Sequence, residues 1–199
     1  MTIPSDIKIT PWLEQYKKFK EDYSDSILLF RMGDFYEMFF DDARKAAAIL
    51  DIALTARDSE KKIPMAGIPH HALNIYLGRL IKAGCRVAIC EQISEPDPKK
   101  GIVDRKVIRV ITPGTYVPDE NSSEFETGHL AAVWPQKNFI AMALLSVDTG
   151  NLEAGTLSPR DSAAMLTAFA PGEVLYPSNL NVKNFPDFLK NYNQRCRRW

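Results

Sequence analysis

The sequence lacks the features that define several classes of protein. Its 199 residues contain only three cysteines, an odd number that argues against a disulfide framework. No apolar run approaches the roughly 20 residues of a membrane-spanning helix, and residues 1–10 contain no apolar signal core. The formal net charge is zero, so no overall field draws the chain to nucleic acid. These absences predict a cytoplasmic protein without a membrane partner.

Motifs for cofactors are also missing. No Gly-x-x-x-x-Gly-Lys-Ser/Thr phosphate loop occurs, so we expect the chain neither to bind nor to hydrolyse ATP. Cys85 and Cys90 fall in a predicted strand at positions that face opposite sides, which is typical of small core residues rather than metal ligands. His70 and His71 have no third ligand nearby. We therefore predict no cofactor, no metal and no catalytic residue in this chain.

The pattern of residues 1–116 predicts a mixed-sheet α/β domain. Thr10 and Pro11 are typical of an N-cap and a first helical residue, and Gly84 is expected to end a helix at C′. Residues 61–69 contain two prolines and a glycine and predict a loop. The remaining pattern predicts helices over 11–20, 41–50 and 72–83, and strands over 27–32, 35–39, 54–56, 85–93 and 106–112.

A second α/β domain is predicted over residues 128–199. Residues 117–127 are acidic and lack an apolar period, so we interpret them as an interdomain linker. The following pattern predicts three antiparallel strands, a helix and a further strand, over 129–134, 139–147, 152–157, 161–169 and 174–176. Residues 195–199 are assigned to no element.

The stretch Gly33–Glu37 carries the most chemical information. If it is extended, the Phe35 ring and the Glu37 carboxylate point to the same side, because side chains alternate along a strand. A ring can stack on a base, and a carboxylate can bond a base edge. Phosphates repel a carboxylate, so one that faces DNA is expected to meet a base. Taken alone, each residue has an ordinary interpretation, a core ring and a solvated acid.

This stretch resembles the Gly-x-Phe-Tyr-Glu motif of the bacterial MutS family of DNA mismatch repair proteins. Three further stretches resemble the same family, Ile-Pro-Met-Ala-Gly-Ile-Pro-His-His-Ala at 63–72, Val-Ala-Ile-Cys-Glu-Gln-Ile at 87–93 and Arg-Lys-Val-Ile-Arg-Val-Ile-Thr-Pro-Gly-Thr at 105–115. Four motifs in the family's order make the resemblance specific. It implies that residues 1–116 are a mismatch-recognition domain that binds mismatched double-stranded DNA.

The resemblance also implies roles for single residues. In the family, the ring at Phe35 enters the duplex from the minor groove and stacks on a mispaired base, while the carboxylate at Glu37 bonds that base. Tyr36 is expected to point into the core. Near phosphates the pKa of Glu37 should rise, which would make binding pH-sensitive. Supporting or groove-lining positions are Gly33, Tyr36, Met65, Gly67 and Pro69, the last three on a loop near the groove.

Basic residues on these motifs are candidates for phosphate contacts, with solvated faces as the equal alternative. Such contacts position a protein on DNA and do not discriminate between sequences. The candidates are Arg57, Lys61, Lys62, Arg105, Lys106 and Arg109.

For the rest of the chain, the resemblance implies the family's connector domain, with a ribonuclease-H-like α/β fold that is incomplete at the C-terminus. Full-length members are homodimeric ATPases that use ATP and Mg through a distant domain, and their connector helps to dock the partner protein MutL. We interpret the chain as an N-terminal fragment of such a protein. Without the family's clamp and second subunit, it is expected to bind mismatched DNA weakly on its own.

Two alternatives remain open. Asp148-Thr149-Gly150 matches the half-site of an aspartic protease, in which two Asp share a proton, and Asp148 with Glu153 could belong to a nuclease that binds a metal. The bland interpretation of the tripeptide is a turn between strands. A scaffold that makes only protein contacts is the other alternative.

Overall fold

A computed structural model of the chain describes residues 7, 9–60, 62–94, 103–118, 128–180, 189 and 196–198. The chain divides into two compact units, Met1–Ile111 and Thr112–Trp199. The predicted domain boundary lay a few residues later, at 116. Most of the predicted linker, residues 119–127, lies outside the described residues.

The first unit contains three α-helices, a short 3-10 helix and six strands within the described residues. Helix α1 begins at Pro11, where the missing N–H costs no intrahelical bond. Gly84, with φ of 77°, follows the third helix in the left-handed conformation that glycine tolerates. The elements are α1 Pro11–Asp22, β1 Ser26–Met32, β2 Phe35–Phe39, α2 Phe40–Leu50, β3 Thr55–Ala56, β4 Pro64–Pro69, the 3-10 helix His70–Ala72, α3 Leu73–Lys82, β5 Arg86–Gln92 and β6 Arg105–Ile111.

These strands form one mixed sheet in the order β3-β4-β2-β1-β5-β6. Only β1 and β5 run parallel, and the other pairs are antiparallel. One face buries the rings of Phe30 and Phe39 against Tyr16 of α1, with edge-on ring contacts at 5.5 and 5.0 Å. The opposite pleat of the sheet is buried too, at Met38 and Ile68. Both faces of the central strands are therefore core.

A buried ion pair ties α1, β1 and α2 together. Lys20 Nζ lies 2.8 Å from Asp42 Oδ1, and the two side chains are 10% and 9% exposed. The second carboxylate oxygen of Asp42 accepts hydrogen bonds from Leu28 N at 3.0 Å and Tyr16 Oη at 3.4 Å. Lys20 also donates to the carbonyl oxygen of Ser26. Each charge thus has partners that compensate for its burial.

Strand β2 passes directly into helix α2. Phe39 is the last residue of the strand and Phe40 the first of the helix, with no loop between them. Phe40 turns the chain with φ of 53°, a left-handed value that is unusual for a bulky side chain. Its ring is buried, at 5% exposure, so packing holds the junction in this conformation.

The predicted loop over 61–69 is wrong for most of its length, because Pro64–Pro69 is strand β4. It pairs antiparallel with β2, from Phe35 opposite Pro69 to Phe39 opposite Met65. The two prolines that suggested a loop stand at the two ends of the strand. Proline at the first position of a strand is tolerated, because its missing N–H removes no essential ladder bond there.

The second unit is also mixed α/β. Its described elements are β7 His129–Pro135, β8 Ile140–Ser146, β9 Asn151–Leu157, α4 Pro159–Phe169, β10 Glu173–Tyr176 and β11 Cys196–Arg198. The sheet order is β11-β10-β7-β8-β9, in which β7, β8 and β9 are antiparallel while β10 and β11 run parallel to β7. Ser158 caps α4 by accepting a hydrogen bond from Asp161 N at 3.1 Å.

The prediction of a mixed α/β fold is confirmed for both units. Strand β11 was not predicted, since residues 195–199 had been assigned to no element. Within the part of the chain that the structure describes, the helices are too short or too polar to cross a bilayer.

Candidate nucleic-acid interface

A two-residue turn, Gly33–Asp34, joins β1 to β2 and places Phe35 directly after it. Gly33 has φ of 58°, whereas Asp34 keeps a negative φ, which is the pattern of a type II′ hairpin with glycine first. Arg31 Nε donates to the carbonyl oxygen of Gly33. The backbone N and the ring Nδ1 of His70 lie 2.9 and 3.0 Å from the carbonyl oxygen of Asp34. Hydrogen bonds from two sides therefore hold the turn.

Phe35 projects its ring to solvent from this turn, at 47% exposure. Tyr36, the next residue, is 3% exposed and faces the opposite side, as expected. The hydroxyl of Tyr36 donates to Glu91 Oε1 of β5, and the Arg31 guanidinium lies 5.5 Å from the Tyr36 ring centroid. Burial and the neighbouring Glu91 raise the pKa of Tyr36 to about 12. Tyr36 thus anchors β2 on the buried face of the sheet, while the Phe35 ring on the other face stays exposed to solvent.

Glu37 shares the face of Phe35 but is 9% exposed, so it is not the solvated acid of the ordinary interpretation. Arg57 Nη1 lies 3.0 Å from each of its two carboxylate oxygens. Burial raises the pKa of Glu37, and the guanidinium groups of Arg57 and Arg105 oppose that rise. This rise comes from burial within the protein itself, and the rise expected near phosphates stays a prediction.

Gly67 lies directly opposite Glu37 across the β2–β4 ladder. A Cβ built at Gly67 would lie 3.8 Å from both the Phe35 ring and the Glu37 side chain. Having only hydrogen at this position leaves a gap between ring and carboxylate. Pro69 lies opposite Phe35, and Met65 lies opposite Phe39 on the same strand. Strand pairing therefore brings Gly67 and Pro69 next to the predicted recognition residues, whereas Met65 lies two residues further along β4.

Arg105, a candidate phosphate contact, is committed to partners inside the unit. Its Nη1 donates to Gln15 Oε1 and to the carbonyl oxygen of Val103, both at 3.0 Å, and its Nε donates to the carbonyl oxygen of Arg31 at 2.7 Å. Its guanidinium lies 4.7 Å from the Phe30 ring centroid. Burial lowers the pKa of Arg105. This arginine organises the site from within.

The other basic candidates lie in different places. Arg57 pairs with Glu37, and Lys62 Nζ lies 2.6 Å from Glu60 Oε2. Lys106 and Arg109 are exposed on β6, which β1 and β5 separate from β2. Lys61 lies outside the described residues.

The tripeptide Asp148–Gly150 lies in the turn between β8 and β9. Asp148 Oδ1 accepts a hydrogen bond from Thr149 N at 2.8 Å, and Gly150 has φ of 68°. Glu153 Oε1 accepts from Asn151 Nδ2 at 3.2 Å. These bonds are ordinary turn chemistry, as the bland interpretation had it. Among the described residues, no group of three or more His, Cys, Asp and Glu side chains could hold a metal ion.

Sequence reasoning missed several residues that shape this site. Arg31 and His70 hold the turn, Glu91 binds Tyr36, and the Trp12 ring lies 5.8 Å from the Arg57 guanidinium. Their roles depend on which strands are neighbours. The Gly33–Asp34 turn could have indicated the β1–β2 hairpin, but no local signal indicated β4 beside it.

The first unit thus presents an exposed aromatic ring beside a buried carboxylate, with arginines around that carboxylate. The MutS domain I family matches residues 10–120. The chain is 41% identical over 191 residues to the DNA mismatch repair protein MutS of Caldanaerobacter subterraneus subsp. tengcongensis, covering 93% of the chain and 21% of that protein. It is 40% identical over 176 residues to the protein of the same name from Clostridium botulinum strain 657, covering 86% and 19% respectively.

The chain therefore belongs to the MutS family and contains its domain I. It spans about a fifth of the length of the relatives it matches.

Proposed function

We propose that this chain recognises mismatched base pairs in double-stranded DNA, as the mismatch-recognition part of a MutS protein. Phe35 is the wedge that enters the minor groove, and Glu37 bonds the mispaired base beside it. Family membership supports the class of target. The observation that carries the proposal is the Phe35 ring, 47% exposed on a turn that is hydrogen-bonded from two sides.

The energetics of this arrangement favour a defect over a sound duplex. Inserting an apolar wedge costs a few kcal/mol of unstacking per base step. Stacking of a base on an aromatic ring returns roughly 1–3 kcal/mol. A mispaired base is already weakly held, so its step is cheaper to open and kink. Because the ring tests deformability, recognition requires no particular sequence.

A rigid mount matters for this test. If the turn yielded when the ring met the duplex, the energy of insertion would deform the protein instead of the DNA. The bonds from Arg31 and His70 to the turn, and from Tyr36 to Glu91 below it, resist that deformation. Gly67 has no side chain to cover Glu37 beside the ring, and we infer that the edge of a displaced base approaches the carboxylate there.

We infer a binding role rather than a catalytic one for the second unit, as a connector domain with a ribonuclease-H-like sheet. Three antiparallel strands, followed by a helix and strands parallel to the first, support that fold. Homodimer formation, MutL docking and the use of ATP and Mg are proposed for the longer proteins of the family. The basic side chains of Lys106 and Arg109 are proposed to contact phosphates.

The test compares Phe35→Ala with Phe139→Ala, a ring of similar exposure at 44% in the second unit. Each variant is placed in the chain itself and in a chimera where the chain replaces the matching segment of a MutS relative. Affinities for duplexes with and without one mismatch are measured by fluorescence anisotropy. Loss of stacking predicts a 5- to 150-fold weaker mismatch affinity for Phe35→Ala, about 1–3 kcal/mol.

Affinity for the matched duplex should change little in either variant, and Phe139→Ala should retain discrimination. Equal discrimination by the Phe35→Ala chimera and the parent chimera would show that the exposed ring is not the reader, and the proposal would be wrong.

A further inference from the structure

The ion pair between Glu37 and Arg57 has no place in a simple wedge mechanism. Glu37 comes from β2, whereas Arg57 directly follows β3, beyond β4 in the sheet. One nitrogen of Arg57 reaches both carboxylate oxygens at 3.0 Å. The side chains differ in exposure, with Glu37 at 12% and Arg57 at 37%. The buried Glu37 carboxylate is therefore paired with an Arg57 guanidinium that solvent, or a DNA duplex, can reach.

The surroundings make Arg57 the main control on the charge of Glu37. Strands β1 and β4 place Phe30 and Gly67 opposite Glu37, and neither residue carries a charge. Helix α1 places uncharged Trp12 and Gln15 against the two arginines.

Arg105 of β6 is the second cation that faces Glu37, but its hydrogen bonds go elsewhere. It acts on Glu37 only through its charge. Arg57 both donates hydrogen bonds and supplies charge, so its loss removes more of the support for the ionised carboxylate.

A DNA backbone phosphate competes with Glu37 for this guanidinium. Arginine binds phosphate through the same planar donors that bind a carboxylate. A phosphate that captures Arg57 would leave Glu37 buried and without its partner, a situation that favours the neutral acid. An ionised Glu37 only accepts hydrogen bonds, whereas a protonated one can also donate to a base acceptor.

We propose that Arg57 is a positioning residue that keeps Glu37 ionised in the free protein and releases it to take up a proton when DNA phosphate binds. This inference rests on the proposed function. The exchange adds one proton from solvent to Glu37 and moves one arginine contact from carboxylate to phosphate. Arg57 thereby determines which base edges Glu37 can bond.

The first measurement needs no DNA. The titration of the Glu37 side-chain carboxyl is followed by carbon-13 NMR in the chain, in Arg57→Gln and in Lys62→Gln. Lys62 is a matched control, because its side chain is also 37% exposed and pairs with Glu60 rather than Glu37. An opposite charge within about 4–6 Å lowers a carboxyl pKa by roughly 1–3 units. The midpoint should rise by about one pH unit or more in Arg57→Gln and stay unchanged in Lys62→Gln.

A second variant, Arg57→Lys, guards against loss of structure, since it keeps the charge but not the planar donors. Its Glu37 midpoint should lie between those of the parent and Arg57→Gln. The second measurement is the pH dependence of mismatch affinity in the chimera. With Arg57 present, binding takes up a proton, so affinity should fall as pH rises. In Arg57→Gln the Glu37 midpoint lies higher, so near that midpoint the free protein already holds part of the proton and the slope should be flatter there.

An unchanged Glu37 midpoint in Arg57→Gln would overturn the inference, even if Phe35→Ala abolishes discrimination and the proposed function stands. A raised midpoint together with an unchanged pH slope would overturn it as well. If Phe35→Ala leaves discrimination intact, the proposed function fails, and the exchange with phosphate fails with it.

Discussion

Replacement of Asp42 by alanine is expected to destabilise the first unit more than any change at its surface. The carboxylate compensates the charge of Lys20 at 2.8 Å and accepts the N–H of Leu28 at 3.0 Å. Breaking a buried pair by removing one partner costs about 3–5 kcal/mol, because the remaining charge stays buried. Domains are stable by only about 5–15 kcal/mol. Asp42→Ala should therefore remove about a fifth or more of the stability.

A neighbouring residue provides the control. Asp41 forms an ion pair with Arg44 at 3.1 Å, a similar distance, but the two side chains are 82% and 56% exposed. Pairs of this kind contribute about 0–1 kcal/mol. Asp41→Ala should thus cost less than 1 kcal/mol. The double change Lys20→Met with Asp42→Leu should recover part of the loss by removing both buried charges, although the N–H of Leu28 then lacks its acceptor.

Hydrogen exchange followed by mass spectrometry suits this measurement, because it reports on β1 peptides separately from the second unit. Exchange of the β1 amides in 0–4 M urea gives the free energy of opening for each variant. Similar losses for Asp41→Ala and Asp42→Ala would refute the reasoning, since burial would then not determine the value of the pair.

Four further outcomes are expected. Gly33→Ala should destabilise the chain by about 1–2 kcal/mol in urea unfolding, because φ at this position is 58°. A Cβ there meets nothing within 4 Å, so the whole effect comes from the backbone conformation. Gly155 has equal space but no positive φ, and Gly155→Ala should not show this loss. The pKa of Tyr36 is about 12 in the folded chain and about 10 when unfolded. The stability that the neutral Tyr36 hydroxyl contributes is complete below pH 10 and is lost as pH rises through 12. Tyr36→Phe should therefore lack this loss of stability in alkaline denaturation. Burial raises the pKa of Cys90 to about 12, so its thiol should resist alkylation at pH 8 until the chain unfolds, as peptide mass spectrometry can show. Lys106→Gln in the chimera should reduce the slope of log affinity against log salt by about 0.9, and an unchanged slope would exclude a phosphate contact there.

Hydrophobic periodicity and the residues typical of helix ends predicted most of the local structure of the first unit. The apolar run before Gly33 predicted a strand, and the period of two predicted that Tyr36 would be buried opposite Phe35. Thr10–Pro11 and Gly84 predicted one end of a helix each, because their backbone preferences are local. Such features need no knowledge of the rest of the chain.

Contacts between distant segments could not be predicted in this way. Strand β4 was taken as a loop because prolines stand at both its ends, and only its pairing with β2 makes it a strand. Arg57 was a candidate for a phosphate contact or a solvated face, and nothing in its local sequence indicated its ion pair with Glu37. Arg105 was a candidate for a phosphate contact, and nothing in its local sequence indicated its two distant partners on β1 and α1. The β4 strand and the contacts of these two arginines share one cause, which is that register sets the neighbours of a side chain.

The absence of a loop between β2 and α2 has a mechanical consequence. A connecting loop is flexible and can absorb displacement, but here the strand ends at Phe39 and the helix begins at the next residue, Phe40. The turn at Phe40 is clamped by its own buried ring. A load on the Phe35 end of the strand is therefore delivered to the first turn of α2, where Asp42 is anchored to Lys20. The Gly33–Asp34 turn, β2 and the start of α2 should therefore move as one rigid segment that the Asp42–Lys20 ion pair holds in place.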